Sequence, residues 1–178
     1  HLVHYPLRRG ELYNLVAVFH SDHYSEGWDQ AGDPALLHAH FKGQVPQVLR
    51  MLEKIDVWKM WVLCDREPVK DWSKGRATLI GDAAHPMLQY LAQGACMALE
   101  DAVCLAEKIE AKANDIPAAL LDYQNARYLR TSRVQLMARV YGEAYHARGP
   151  IAELRNNMLR ARTPEQAIEG IAWLYGGG

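Results

Sequence analysis

The run Gly75-Arg76-Ala77-Thr78-Leu79-Ile80-Gly81-Asp82-Ala83-Ala84-His85-Pro86 leads an apolar strand into Gly-Asp and a proline-bearing loop, and Gln93-Gly94-Ala95 then opens a long helix. This order of parts can hold an anionic cofactor. The Asp82 carboxylate can accept hydrogen bonds from cofactor hydroxyls. The helix start offers unpaired backbone N–H groups and the positive end of its dipole. Gly94 and Ala95 are small enough to let the backbone approach a bound group closely, and Pro86 shapes the turn beside it. Asp82 alone would equally suit a turn or helix cap, common tasks for Asp after Gly. Its setting between Gly81 and Ala83-Ala84-His85-Pro86 favours the cofactor. His85 reads as a structural hydrogen-bonder rather than an acid–base group.

The elements that must position these residues are legible from pattern. His1 to Tyr5 alternates, Arg8-Arg9-Gly10-Glu11 is turn-like and Leu12 to Phe19 is β-rich, which predicts a hairpin. Residues 21–33 are polar and contain glycine, a loop. Asp33-Pro34 is an N-cap followed by a first helical residue, opening a helix to about Lys42, and Pro46 begins another to Lys54. Val57 to Leu63 reads as a strand, and Ala77 to Ile80 as the short buried strand before the motif. From Gly94 to about Ala111 a helix places Leu99, Val103, Ala106 and Ile109 on one side. Pro117 starts a long helix to about Tyr145, broken by Gly149-Pro150. A helix from Ile151 to Arg160 follows, and Thr163-Pro164-Glu165-Gln166 is a capping box for a last one to about Leu174. Gly176-Gly177-Gly178 is a loose end.

Composition narrows the class. The 178 residues carry a net charge of −1 with 23% charged residues, so there is no field to draw in nucleic acid. No apolar run reaches the roughly 18 residues of a membrane span. Cys64, Cys96 and Cys104 are odd in number and lack CxxC spacing, which suits reduced, buried thiols rather than disulfides or zinc. His38-x-His40 lacks a third ligand, so no metal is expected. Trp58, Trp61 and Trp72 read as core or interface. Arg66 is expected to pair with its acidic neighbours Asp65 and Glu67. No GxGxxG follows an early strand, so the dinucleotide fingerprint is missing. P-loop, Gly-x-Ser-x-Gly and His-Glu-x-x-His patterns are absent too.

With Leu99-Glu100-Asp101-Ala102 inside the helix, the segment from Gly75 to about Ala106 resembles the second FAD-binding motif of single-component flavoprotein aromatic hydroxylases. The loop Met87-Leu88-Gln89-Tyr90-Leu91-Ala92-Gln93-Gly94 is similar to that of the members converting 3-hydroxybenzoate to gentisate (2,5-dihydroxybenzoate). The resemblance implies FAD, bound through Gly81, Asp82, Pro86, Gly94 and Ala95. It implies NADH or NADPH as co-substrate, oxygen addition at flavin C4a to a hydroperoxyflavin, and transfer of the distal oxygen to an activated ring. It also implies His1 and Gln89 as catalytic residues, Tyr5 and Gln89 as contacts to the aromatic acid, a homodimer and a cytoplasmic location. On a strand, His1 and Tyr5 share a face about 13 Å apart, suited to flanking a small ring. A histidine with an ordinary pKa near 6.5 can take or share a phenol proton at neutral pH. A Gln amide orients a phenol or carboxylate without adding charge.

The resulting expectation is an α/β chain, the C-terminal part of a flavoprotein hydroxylase fold. Residues 1–63 would complete a substrate-domain sheet, 64–115 the FAD domain, and 116–178 would be covering helices. The rivals are a salicylate-type decarboxylating hydroxylase, which the Leu88-Gln89-Tyr90-Leu91 loop disfavours, and a non-catalytic helical interaction piece.

Overall fold

A computed structural model describes residues 1–22, 27 and 30–176. It divides into two compact units, His1–Val62 and Leu63–Gly178. The middle of the 21–33 loop reading and the last two glycines lie outside the described residues.

In the first unit, β1 (Leu2–Leu7) and β2 (Leu12–Ala17) form the expected antiparallel hairpin, with Tyr5 opposite Asn14 and Leu2 opposite Ala17. Its turn holds Arg8 and Arg9 at positive φ and Gly10 at φ +97°. One face carries Leu2, Leu15 and Ala17 onto a core of Leu37, Phe41 and Leu52. That core comes from α1 (Pro34–His40) and α2 (Pro46–Leu52) with the residue that closes α1. Asp33 caps α1 through the Ala35 amide at 2.8 Å, and proline opens each helix. The strand expected over Val57 to Leu63 shrinks to β4 (Lys59–Met60), paired with β3 (Gln30–Ala31). Only two residues find ladder partners there, and Val57 is 77% exposed.

The second unit begins with a two-strand turn, β5 (Ser73–Lys74) against β6 (Ala77–Thr78). The expectation of a buried strand over Ala77 to Ile80 is corrected. The strand has one neighbour, and Leu79 and Ile80 are exposed. Two helices dominate: α3 (Gly94–Ala111) and α4 (Ile116–His146), with α5 (Gly149–Arg160) and α6 (Pro164–Tyr175) after them. One cluster joins Trp72, Ala84 and Tyr123; another joins Met97, Val134 and Leu174. The side of α3 that carries Leu99 and Val103 is not the one turned inward. Met97 and Asp101 are buried, whereas Leu99 and Val103 are 69% and 61% exposed. An ion pair from Arg127 of α4 to Asp101 selects the inward face. Cys64 and Cys96 are exposed free thiols rather than buried ones.

The capping box forms as read: Thr163 accepts from the Gln166 amide, and the Gln166 side chain accepts from the Thr163 amide at 3.0 Å. Thr163→Ala should therefore cost about 1 kcal/mol, read as a lowered urea midpoint with an unchanged slope.

Candidate functional site

Gly81–Ala83 is a 3-10 turn. Gly81 sits at φ +59°, where a side chain would be strained, and a Cβ would stand 3.2 Å from Ala98 Cβ. Its amide donates to Asp101 Oδ2 at 3.0 Å. The glycine thus tucks the chain against α3, while the next side chain, Asp82, is exposed. Asp82 has no hydrogen-bond partner among the described residues, so it caps nothing there. A Cβ at Gly94 would lie 3.7 Å from Asp82 Oδ1, which puts the carboxylate against the first residue of α3.

No side chain caps α3, and its first backbone bond runs from the Met97 amide to Gln93 at 2.9 Å. The amides of Gly94, Ala95 and Cys96 precede that bond, and Ala95 is exposed. An acceptor carboxylate beside orphan donors, with small side chains between, suits a cofactor that carries both hydroxyls and negative charge. The residues present fit FAD.

Behind the turn lies a buried charge network. Asp101 is 0% exposed; its Oδ1 accepts from Arg127 Nε at 2.7 Å and its Oδ2 meets His85 Nε2 at 2.6 Å. Arg127 also holds Glu100 at 2.7 Å. Arg130 bonds Glu100 at 3.0 Å and the carbonyls of Trp173 and Leu174 at 2.7 and 2.8 Å. Burial alone would push the Asp101 carboxyl up, but His85, Arg127 and the Gly81 amide together hold it below the usual carboxylate range. Arg127, likewise opposed by burial, is raised by Asp101 and Glu100. Burial first, then Asp101, pushes the Tyr123 phenol well up. His85 is wholly buried beside Trp72, ring centres 5.5 Å apart, with its Nδ1 unpartnered. It is a structural hydrogen-bonder, placed to hold Asp101.

Further clamps were not legible in the sequence. Arg66 does not pair with Asp65 and Glu67, which bond Arg139 of α4 instead. Its guanidinium donates to the carbonyls of Ala83 and Ala84 at 2.9 and 2.6 Å. Gln135 donates to the Pro86 carbonyl at 2.9 Å. Gln124 accepts from the amides of Trp72 and Ser73, each at 2.8 Å. The acidic residues beside Arg66 hid its role, since the carbonyls it binds follow 17 and 18 residues later.

Gln89 is exposed in a second 3-10 turn, Gln89–Leu91. Met87 and Leu91 on either side pack against the Met97–Val134–Leu174 cluster. Ala92 closes the turn at φ +52°, ψ +38°. Gly81, Asp82, Pro86, Gln89, Gly94 and Ala95 therefore all belong to the second unit. His1 and Tyr5 belong to the first. His1 exchanges backbone hydrogen bonds with Val18 at 2.9 Å, and Tyr5 is 46% exposed on the hairpin. By strand alternation both lie on the face opposite Leu2. Among the described residues no cluster of His, Cys, Asp and Glu could hold a metal, and no helix is long and apolar enough to cross a membrane.

Comparison with known proteins adds three findings. The family model described as FAD binding domain matches residues 4–138. The chain is 46% identical, over 99% of its length and 44% of the relative's, to a 3-hydroxybenzoate 6-hydroxylase of Polaromonas naphthalenivorans (strain CJ2). Among solved structures, it is similar to a salicylate hydroxylase in complex with substrate. That match has a TM-score of 0.79 and 28% identity and covers 99% of this chain and 44% of the other. It is also similar to Klebsiella pneumoniae HpxO complexed with FAD and uric acid, with a TM-score of 0.69 and 32% identity over 78% of this chain and 36% of that one. The chain spans about half the length of the curated relatives it matches.

Proposed function

Since the chain belongs to the FAD-binding-domain family of flavoprotein hydroxylases, we propose that it serves an FAD-dependent monooxygenase. The proposed reaction converts 3-hydroxybenzoate to gentisate with O2 and NADH. The observation that carries the flavin part is the unpartnered Asp82 carboxylate against the uncapped start of α3. FAD, when bound, supplies the oxidation–reduction chemistry and the activation of oxygen. This chain's residues do the rest. Asp82 accepts from cofactor hydroxyls, and the amides of Gly94 and Ala95 face the cofactor's negative charge. Gly81 and Pro86 fix the turn.

At the substrate, the Gln89 amide orients the hydroxyl or carboxylate of the ring. The His1 imidazole takes or shares the phenol proton, which makes the ring more electron-rich. Tyr5 contacts the aromatic acid. Residues 1–63 complete the substrate domain and 64–115 the FAD domain, with 116–178 as covering helices. The whole protein works as a homodimer in the cytoplasm. The similarity to salicylate hydroxylase motivates one competing substrate.

Product analysis separates the two. The full-length flavoprotein, given NADH, oxygen and 3-hydroxybenzoate, should yield gentisate by chromatography. Catechol from salicylate, with no turnover of 3-hydroxybenzoate, would overturn the substrate assignment and leave the flavin role standing.

A further inference from the structure

Gly142 is buried in the last part of α4, and its backbone is ordinary helix, so conformation does not call for glycine there. What calls for it is the Tyr90 ring. A Cβ at Gly142 would stand 2.6 Å from Tyr90 Cδ2 and closer still to Cε2. The ring rests on the helix backbone, with Tyr145 and His146 edge-on at ring-centre distances of 6.1 and 5.8 Å. Tyr90 directly follows Gln89 in the second 3-10 turn. Ala92, two residues later, is held in the left-handed region. Such a conformation persists in alanine only where the surroundings dictate it. Met87 and Leu91 anchor the same loop in the core. The seat on Gly142 is thus a further hold on the loop, and it adjoins Gln89.

We propose that Tyr90 seated on Gly142 is a positioning lock that sets where the Gln89 amide stands, and through it the affinity for the hydroxybenzoate. The inference rests on the reading of Gln89 as a substrate contact. A helix glycine replaced by alanine ordinarily gains stability. Gly142→Ala should instead drive the ring off its seat and release the loop.

The test titrates 3-hydroxybenzoate into the FAD-loaded full-length enzyme and follows the flavin absorbance. Gln89→Ala should weaken binding; if it does not, the underlying reading of Gln89 fails and the lock with it. Given that loss, Gly142→Ala and Tyr90→Ala should each weaken binding about tenfold. The double variant should bind no worse than Tyr90→Ala, because both changes remove one hold. Tyr90→Phe, which keeps the ring on its seat, should lose less affinity than Tyr90→Ala. FAD content should hold throughout, and KM should rise more than kcat falls. Unchanged affinity in Gly142→Ala, or losses that multiply in the double variant, would overturn the lock while leaving Gln89 its role. Should Gly142→Ala not fold, Tyr90→Ala against Tyr90→Phe decides alone. A larger loss in the alanine supports the seat, and equal behaviour sinks it.

Discussion

Asp101→Ala should destabilise the full-length protein by about 3–5 kcal/mol, the range for removing one partner of a buried charge pair. The carboxylate is fully buried, and it neutralises an Arg127 side chain that is only 9% exposed. Without it, the one carboxylate left to Arg127 among the described residues is that of Glu100, whose side chain is 34% exposed and shared with Arg130. The Gly81 amide and His85 Nε2 lose their acceptor at the same time. Domains of this size are stable by only about 5–15 kcal/mol, so the change takes a large part of the total. Asp101→Asn should recover part of it, since its carbonyl still accepts one of these hydrogen bonds while the charge is gone. Denaturant unfolding of the two variants and the parent measures both steps.

The same carboxylate contributes to the acid limb of stability. Its folded pKa lies below the usual carboxylate range. A depressed acid contributes fully above its unfolded pKa, about 3.9 for aspartate, and that contribution is lost as pH falls through the folded value. The parent should therefore hold its advantage over Asp101→Asn from neutral pH down to about pH 4 and lose it progressively below. Arg127, raised in the fold, loses its contribution only as pH climbs above the ordinary arginine range. It does not bend the curve near neutrality. An advantage that stayed flat as pH fell well below 4 would overturn the assignment of this limb to Asp101.

Local chemistry was legible in the sequence because each signal is complete within a few residues. Asp33-Pro34 and Thr163-Pro164-Glu165-Gln166 begin helices where their caps say they should. Arg8-Arg9-Gly10 turns the hairpin. The inward face of α3 was not legible. Periodicity favours Leu99 and Val103, but a buried Asp101 is affordable only with Arg127, which stands 26 residues later on another helix. Once that pair forms, burying Asp101 and Met97 turns Leu99 and Val103 to the surface. Arg66 and Gln135 escaped for a related reason: they bind backbone carbonyls, and any residue supplies a carbonyl. Gly81, Asp82, Gly94 and Ala95 stand out from local pattern alone, while the side chains that hold their turn, Arg66 before it and Arg127 and Gln135 on α4, do not.

Asp82 and Asp101 lie on opposite sides of one turn, and their substitution should separate cofactor binding from folding. Asp82→Ala in the full-length protein should weaken FAD binding by roughly ten- to a hundredfold, the worth of one charge-assisted hydrogen bond at about 1.5–3 kcal/mol. The apoprotein should melt within about 0.5 kcal/mol of the parent, because Asp82 is exposed and bonds nothing among the described residues. Asp82→Asn keeps one acceptor oxygen and should fall between. Flavin retention after gel filtration and fluorescence titration of FAD into apoprotein give the affinities, and denaturant unfolding of apoprotein gives the stability. Asp101→Ala should show the reverse order, with unfolding first and flavin loss as its consequence. If Asp82→Ala keeps its flavin as tightly as the parent, the carboxylate does not contact the cofactor, and the helix-start amides alone must hold it. If it unfolds instead, the turn depends on Asp82 in a way its exposed position does not provide for.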